Sequence, residues 1–295
     1  MAMMRGAGLR GETRPVDIVY TWVDDGWPDY RELLGAYAKR PVDSDPGRTR
    51  DNLELLRFSL RSVERFASWV RNIHVLTCRP QIPAWLNHEH PQVRIVHHDE
   101  IMDPAHLPTF SSLAIISHLH LIPGLSENFI YLEDDMVLRA PLAPEDLCDS
   151  GGRLLVFPWH HETPTWESIV SPEHERPWNL ALAESNRLLD RSFGAQQRKQ
   201  LCHTPLLINA RKWAALMERF SEGVSSTRTS RFRERGNVAP EFIYPWMMLA
   251  DGEATLLPQA EAARRSGYVP LENFWPATLW FLFKAWWHKA AWITF

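Results

Sequence analysis

The sequence predicts an α/β protein built on a mostly parallel sheet with flanking helices. Three observations carry this. Short runs rich in β-branched and aromatic residues recur at Asp17–Val23 (DIVYTWV), Asn72–Thr77 (NIHVLT), Val93–His97 (VRIVH) and Phe129–Leu132 (FIYL), and read as strands. Stretches with helical spacing lie between several of them, and strands alternating with helices imply parallel pairing through right-handed crossovers. The last run ends in Glu133, Asp134 and Asp135. Burying three adjacent carboxylates without partners costs several kcal/mol, so they belong at an open strand end, where ligands bind in α/β sheets.

In chain order, residues 1–15 read as a flexible leader, with no apolar run long enough for a signal peptide. The first strand stops at Asp24-Asp25-Gly26-Trp27-Pro28, a breaker sequence. Tyr30–Ala38 is a short helix, and Arg40–Arg50 a polar loop with two prolines. Asp51 with Glu54 three residues on looks like a capping box. The helix it opens carries Leu53, Leu56, Leu60 and Val63 on one face. Arg57 and Arg61 lie one turn apart on that helix; they are either a solvated face paired with Glu54 and Glu64 or a phosphate-facing pair. Ser112–Leu121 is the next helix, before the acid-ended strand. Beyond Ala140 the pattern weakens. Arg153–Pro158 reads as a strand, Trp159–Pro177 as a loop or lid, and Leu180–Leu189 as a helix. Pro205–Asn209 is a strand, Ala210–Phe220 an amphipathic helix, Ser221–Asn237 a polar segment and Phe242–Ala250 a buried helix.

Composition sets limits. The 295 residues allow one large or two small domains, and an apolar fraction of 45% is that of a globular protein. A net charge of −4 argues against a nucleic-acid partner. Cys78, Cys148 and Cys202 fit neither a zinc spacing nor a disulfide framework, so a reducing, cytoplasmic setting is the simplest expectation. Fourteen tryptophans point to stacking surfaces, sugar contacts, a membrane interface or a large core. From Phe274 to Phe295 the tail is dense in Trp and Phe but is interrupted by Lys284, His288 and Lys289. It is too broken for a transmembrane span. Either a helix lying on a membrane or one packed on the domain fits it.

The acidic strand end also has two readings from residues alone. A strand running into Asp134-Asp135 can hold Mg²⁺ or Mn²⁺ against a diphosphate, because hard oxygen ligands suit those ions; it can equally be an acidic surface turn.

Several stretches taken together resemble one family. These are DIVYTWVDD at Asp17–Asp25, RDNLELLRFSLRSVERFASWVRNIHVLT at Arg50–Thr77, and QIPAWLN at Gln81–Asn87. VHHDEI at Val96–Ile101, the LPTFSSLAI…FIYLEDDM stretch, CHTPLLINARKW at Cys202–Trp213 and FRERGN at Phe232–Asn237 complete the set. The family is Stealth, the bacterial capsule and exopolysaccharide phosphotransferases, similar to the animal N-acetylglucosamine-1-phosphotransferase. The resemblance covers roughly residues 16–255, with 140–200 as a variable lid or insertion and 256–295 as an aromatic-rich tail. It implies a glycosyltransferase-A-like nucleotide-sugar fold. It also implies transfer of a sugar 1-phosphate from a UDP-sugar donor to a hydroxyl of a carbohydrate acceptor, releasing UMP.

Carried over by position, the resemblance makes Asp134 and Asp135 the paired aspartates, with the cation on both and Asp135 also catalytic. His203 becomes a candidate general base and Arg233 a clamp on the phosphates. Trp22, Asp24, Asn52, Glu54, Arg57 and His118 shape the donor pocket. Three departures stand out. The family usually has Ala-Ile-Glu where this chain has Ala114-Ile115-Ile116, so a carboxylate is missing, with Glu133 as a conceivable substitute. Asn237 stands where an aspartate is common. The fourth family region has no counterpart before Phe295, so the chain is expected to be truncated or to lack that part of the site.

Overall fold

A computed structural model describes residues 15–39, 53–271 and 275–295. The central sheet is assembled from the runs that read as strands. They are β1 (Val16–Thr21), β2 (Ile73–Thr77), β3 (Val93–His97) and β4 (Asn128–Glu133). Spatial order runs β3, β2, β1, β4, all parallel, and a last strand over Leu206–Asn209 closes the edge antiparallel to β4. The connections follow the alternation. Helix α1 (Tyr30–Tyr37) and α2 (Leu55–Phe66) lie between β1 and β2, and α3 (Ser112–Ile116) between β3 and β4. Such crossovers place every loop that follows a parallel strand on one edge of the sheet.

Strand β4 has two faces of different company. Phe129 and Tyr131 pack in the larger core, with Ile115, Ile116, Phe242 and Trp213. Ile130 and Leu132 pack on the other side with Tyr20, Leu56 and Val63 of α2. Period-2 alternation therefore sends Glu133 to the Tyr131 side.

The amino edge of the sheet is held by one carboxylate. Asp17 is fully buried. It accepts from Arg71 Nε (2.8 Å) and Nη2 (2.6 Å) and from the N–H groups of Asn72 and Ser126, and it lies 3.2 Å from His74 Nε2. Burial would raise its pKa, but the Arg71, His74 and Ser126 bonds outweigh that and hold it well below the usual carboxylate range.

The rest of the chain wraps this sheet. Short strands β5 (Met136–Leu138), β6 (Leu154–Val156), β7 (Pro158–Glu162) and β8 (Lys199–Leu201) precede the edge strand, β9 (Leu206–Asn209). Helix α4 (Pro177–Phe193) lies between β7 and β8. After β9 come α5 (Ala210–Arg219), α6 (Ser221–Thr229) and α7 (Pro240–Ala250), then β10 (Ala254–Leu256), α8 (Gln259–Arg265), β11 (Ser266–Tyr268), α9 (Trp275–Trp287) and β12 (Trp292–Thr294). Strand β12 bridges β11 and β5, β10 pairs with β6, and β7 forms an antiparallel ribbon with β8.

Several sequence expectations need correction. Asp51, the expected start of the capping box, lies outside the described residues; Glu54 itself, not a residue three positions before it, takes the N-cap position of α2, in a left-handed conformation (φ 50°) with no side-chain cap, and pairs with Arg57. Ser112–Leu121 breaks after Ile116 and resumes as a single 3₁₀ turn over Leu119–Leu121. Trp159–Pro177 is not all loop, since its first residues belong to the β7–β8 ribbon. The polar Ser221–Asn237 segment contains the helix α6. Asn52 lies outside the described residues.

Candidate active site

Pairing brings the pieces together. Because β9 runs antiparallel to β4, with Leu206 opposite Tyr131, the loop that enters β9 sits at the carboxyl end of β4. That loop carries His203, whose Nδ1 lies 2.8 Å from Glu133 Oε2. The negative charge of Glu133 raises the pKa of His203 to about 9 against the opposing effect of burial. Burial likewise disfavours ionisation of Glu133, but the charges of His203 and Arg233 overcome it and lower its pKa. The pair is therefore an imidazolium–carboxylate pair at neutral pH, with Nδ1–H donating.

Helix α7 adds a second carboxyl group. Pro240 occupies its first turn, where a missing N–H costs nothing, and Glu241 follows. Glu241 Oε2 is shielded from solvent and has no hydrogen-bond partner. Burial, and then the charge of Glu133, push its pKa up to about 7. Glu133, His203 and Glu241 line one cavity of about 120 Å³, walled by Tyr131, Trp159, Trp178 and Phe242.

Arg233 reaches the same place from the loop after α6. Its Nη2 donates to Ser112 Oγ at the start of α3, its guanidinium lies 5.9 Å from the Trp178 ring centroid, and its charge acts on both Glu133 and Glu241. Two contacts stitch the loop in place: the Phe232 ring stacks on Phe110 at 4.9 Å, and Phe110 N–H donates to Arg231 O. Asn237 shapes the loop from within, accepting from Glu234 N–H (2.8 Å) and donating to Ser230 Oγ (2.9 Å).

Asp134 and Asp135 form the turn between β4 and β5. One carboxylate oxygen of Asp135, Oδ1, is buried without a hydrogen-bond partner. Burial, followed by the charges of Glu133 and Asp134, lifts the Asp135 pKa to about 8. Among the described residues no three His, Cys, Asp or Glu side chains converge as a complete ligand set.

The remaining sequence candidates have contacts of their own. The Trp22 side chain is buried in the core on the α2 side of the sheet. Asp24 builds the turn after β1: its backbone exchanges hydrogen bonds with the Gln81 amide (2.9 Å each), and its Oδ1 accepts from Gly26 N–H. Beside this turn lies a larger cavity, about 490 Å³, lined by Trp27, Tyr30, Arg79, Gln81, His98 and Phe110. Its walls are the loops that follow β1, β2 and β3. Glu54 and Arg57 form a half-exposed pair at 2.8 Å on α2. His118 packs inward, with Nδ1 2.8 Å from Ala114 O, and burial drives its pKa down to about 4. Ile116 is buried in the larger core, so no acid stands at that position, and the carboxylate suggested as its substitute, Glu133, is bound to His203.

The structure thus gathers Glu133, Asp134, Asp135, His203 and Arg233 around the end of β4; Trp22 directly follows Thr21, which pairs with Glu133, whereas His118 packs into the core. Sequence reasoning missed Glu241 and Trp178. The available signal for Glu241 was a lone acid after Pro240 at the head of an apolar run, a helix start whose acid had no sequence partner.

Residues 48–155 match the family description "Stealth protein CR2, conserved region 2". A capsular polysaccharide phosphotransferase of Haemophilus influenzae is 32% identical over 253 residues, covering 83% of this chain and 68% of that protein. An exopolysaccharide phosphotransferase of Streptomyces coelicolor is 37% identical over 267 residues, or 86% of this chain and 45% of the relative; the chain thus spans less than half of that protein's length. A structure of the galactosyltransferase LgtC with donor and acceptor sugar analogs is similar at a TM-score of 0.44 and 14% identity, over 95% of this chain and 87% of that one. The chain belongs to the Stealth family.

Proposed function

We propose that this site transfers a hexose or N-acetylhexosamine 1-phosphate from a UDP-sugar to a hydroxyl of an acceptor sugar, releasing UMP, in capsular or exopolysaccharide synthesis. The observation that carries the reading is the convergence of the Glu133–His203 pair, Glu241 and Arg233 at the carboxyl end of β4. Such a transfer needs cationic charge on the phosphoryl group, a base for the incoming hydroxyl and a fixed line between donor and acceptor. Arg233 and the imidazolium of His203 supply the charge. That role differs from the general base which the family motif suggests for His203, because a histidine held as a cation by Glu133 has no lone pair to offer near pH 7. Glu241, with an unpartnered oxygen and a pKa near neutrality, is the group matched to take the proton.

Size supports a division of labour. Drug-sized and nucleotide-sized ligands occupy cavities of roughly 300–1,000 Å³. The cavity over Trp27, Tyr30 and Phe110, at about 490 Å³, suits the nucleoside end of the donor, with the Arg79–Asp99 ion pair (3.0 Å) at its rim. The smaller one suits the phosphoryl group and the approaching hydroxyl.

The Asp134–Asp135 turn fits Mg²⁺ or Mn²⁺, since a cation there would satisfy Asp135 Oδ1 and relieve repulsion among three adjacent acids. Mg²⁺ is commonly held by one or two carboxylates plus phosphate and water, so an incomplete protein ligand set is compatible with it. The ion, when bound, would add positive charge beside the diphosphate.

The test is product identification. Purified protein, a panel of UDP-sugars and a carbohydrate acceptor should yield UMP and a phosphodiester. UDP as the product makes the protein an ordinary glycosyltransferase instead, and donor binding without turnover makes it a binding protein.

A further inference from the structure

We propose that α9 is an in-plane membrane anchor that docks this protein on an anionic lipid surface through its exposed aromatic face. Trp275, Leu279, Trp280, Phe283, Trp286 and Trp287 are each at least half exposed, while Ala285 is the one buried residue of the helix. The spacing gathers these side chains toward one side of the helix, and Trp280, Trp286 and Trp287 all lie about 6 Å from the Phe283 ring. An exposed apolar patch of this kind marks an interaction surface.

Charge identifies the occupant. The protein carries a net charge of −4, yet residues 274–295 contain no Asp or Glu and do contain Lys284, His288 and Lys289. Tryptophan beside lysine, with no acid, is the composition of a helix lying at the headgroup level: the rings enter the acyl boundary and the ammonium groups meet anionic phosphates. Thirteen residues extend about 20 Å, shorter than a bilayer core of about 30 Å, and no described helix is long and apolar enough to cross a membrane. The helix therefore lies on the surface.

Its inner side is firmly seated, so the outward face is fixed. A Cβ at Gly267 of β11 would stand only 3.0 Å from Ala285 Cβ. Arg139 Nη1 donates to Ala285 O at 3.0 Å, and Thr278 Oγ1 to Pro270 O at 2.9 Å. The residue after Gly267, Tyr268, stacks on His203 with centroids 5.8 Å apart. A single strand thus ties the anchor to the candidate active site.

The experiment is co-sedimentation of the whole chain with phosphatidylcholine vesicles, with and without phosphatidylglycerol. Wild type should pellet with the anionic vesicles, less so as salt rises, and brominated lipid should quench its tryptophan emission. The double substitution Trp280→Ser, Trp286→Ser should lower the bound fraction on the order of tenfold with an unchanged melting curve. Lys284→Glu with Lys289→Glu should remove the preference for anionic lipid. Failure of wild type to pellet with either vesicle overturns the proposal. So does a dimer in sedimentation velocity that the Trp substitutions dissociate, which would mean that a second copy covers the face. Vesicle binding is read without turnover, so its outcome is independent of the reaction proposed above.

Discussion

His203 Nδ1 lies 2.8 Å from Glu133 Oε2, and this contact joins the loop before the edge strand to the last residue of the central strand β4. The charge of Glu133 is the largest influence on the histidine. In Glu133→Gln the amide can still accept a hydrogen bond but carries no charge, so the His203 pKa should fall from about 9 toward its ordinary 6.5. Histidine resonances followed by NMR across pH 5–10 would show the shift. The sign for stability follows the raised pKa: the contribution of the cation is complete below 6.5 and is lost as pH rises through about 9. Transfer at pH 7.5 should drop on the order of 10- to 100-fold, mostly in kcat. An unmoved titration would mean that the imidazole is not charged by Glu133.

Glu241→Gln removes the carboxylate without changing its shape. Transfer should fall on the order of 10²- to 10⁴-fold, the usual loss when a general base is removed. In wild type, kcat/KM should rise with pH through about 7 as Glu241 ionises and decline near 9 as His203 loses its proton; both limbs report macroscopic values for interacting groups. The variant should lose the lower limb and keep the upper one. A pH profile with both limbs intact would assign the base to another residue.

Asp17 makes a prediction about stability alone, since it lies at the amino edge of the sheet, away from the site. Asp17→Ala leaves His74 and the Ser126 N–H buried without their acceptor. Breaking a buried pair costs about 3–5 kcal/mol; Arg71 is 40% exposed, which discounts this to about 2–4 kcal/mol. Urea unfolding would measure it, while kcat per folded molecule should be unchanged. The Asp17 pKa is lowered in the fold, so its contribution is present above the ordinary carboxylate value of 3.8 and disappears as pH falls below it.

What could be read in the sequence, and what could not, divides along physical lines. Strands β1 to β4 were legible because their runs are rich in β-branched and aromatic residues, and a run such as Phe129–Leu132, buried throughout, has few alternatives. Its acid end was legible for the same reason: charge following a buried run must find an edge. Helix α6 was hidden because its inner face is nearly absent. Gly223 sits where a Cβ would come within 2.7 Å of Leu188 and Val238, so packing there depends on a missing side chain rather than on an apolar stripe. The β7–β8 ribbon carries exposed polar residues and an irregular register, which leaves no period to detect. Strand β12 owes its existence to a partner, β5, more than 150 residues earlier, and no local pattern records that pairing. Glu241 illustrates the same limit at the site. One acid in front of an apolar helix is ordinary until the fold sets it beside Glu133.

Buried histidines give the last prediction. His98, His118 and His120 occupy neighbouring positions near the ends of β3 and α3, and burial lowers their pKa values to about 3, 4 and 4. His118 and His120 also feel the cationic Arg228, which donates to Ser117 O at 2.7 Å. Each ring is neutral in the folded protein at pH 5 but would bind a proton in the unfolded chain, whose histidines titrate near 6.5. The unfolded state then holds more protons, and stability rises with pH across that interval. Melting temperature should therefore fall steadily as pH drops from 6.5 toward 4, ahead of the loss at Asp17 that begins below 3.8. His118→Gln should flatten part of that slope while lowering the plateau at pH 7.5, since its bond to Ala114 O would be altered. Calorimetry at half-unit pH steps distinguishes the two windows. A melting temperature constant between pH 6.5 and 4.5 would show that these rings are protonated or solvated in the fold.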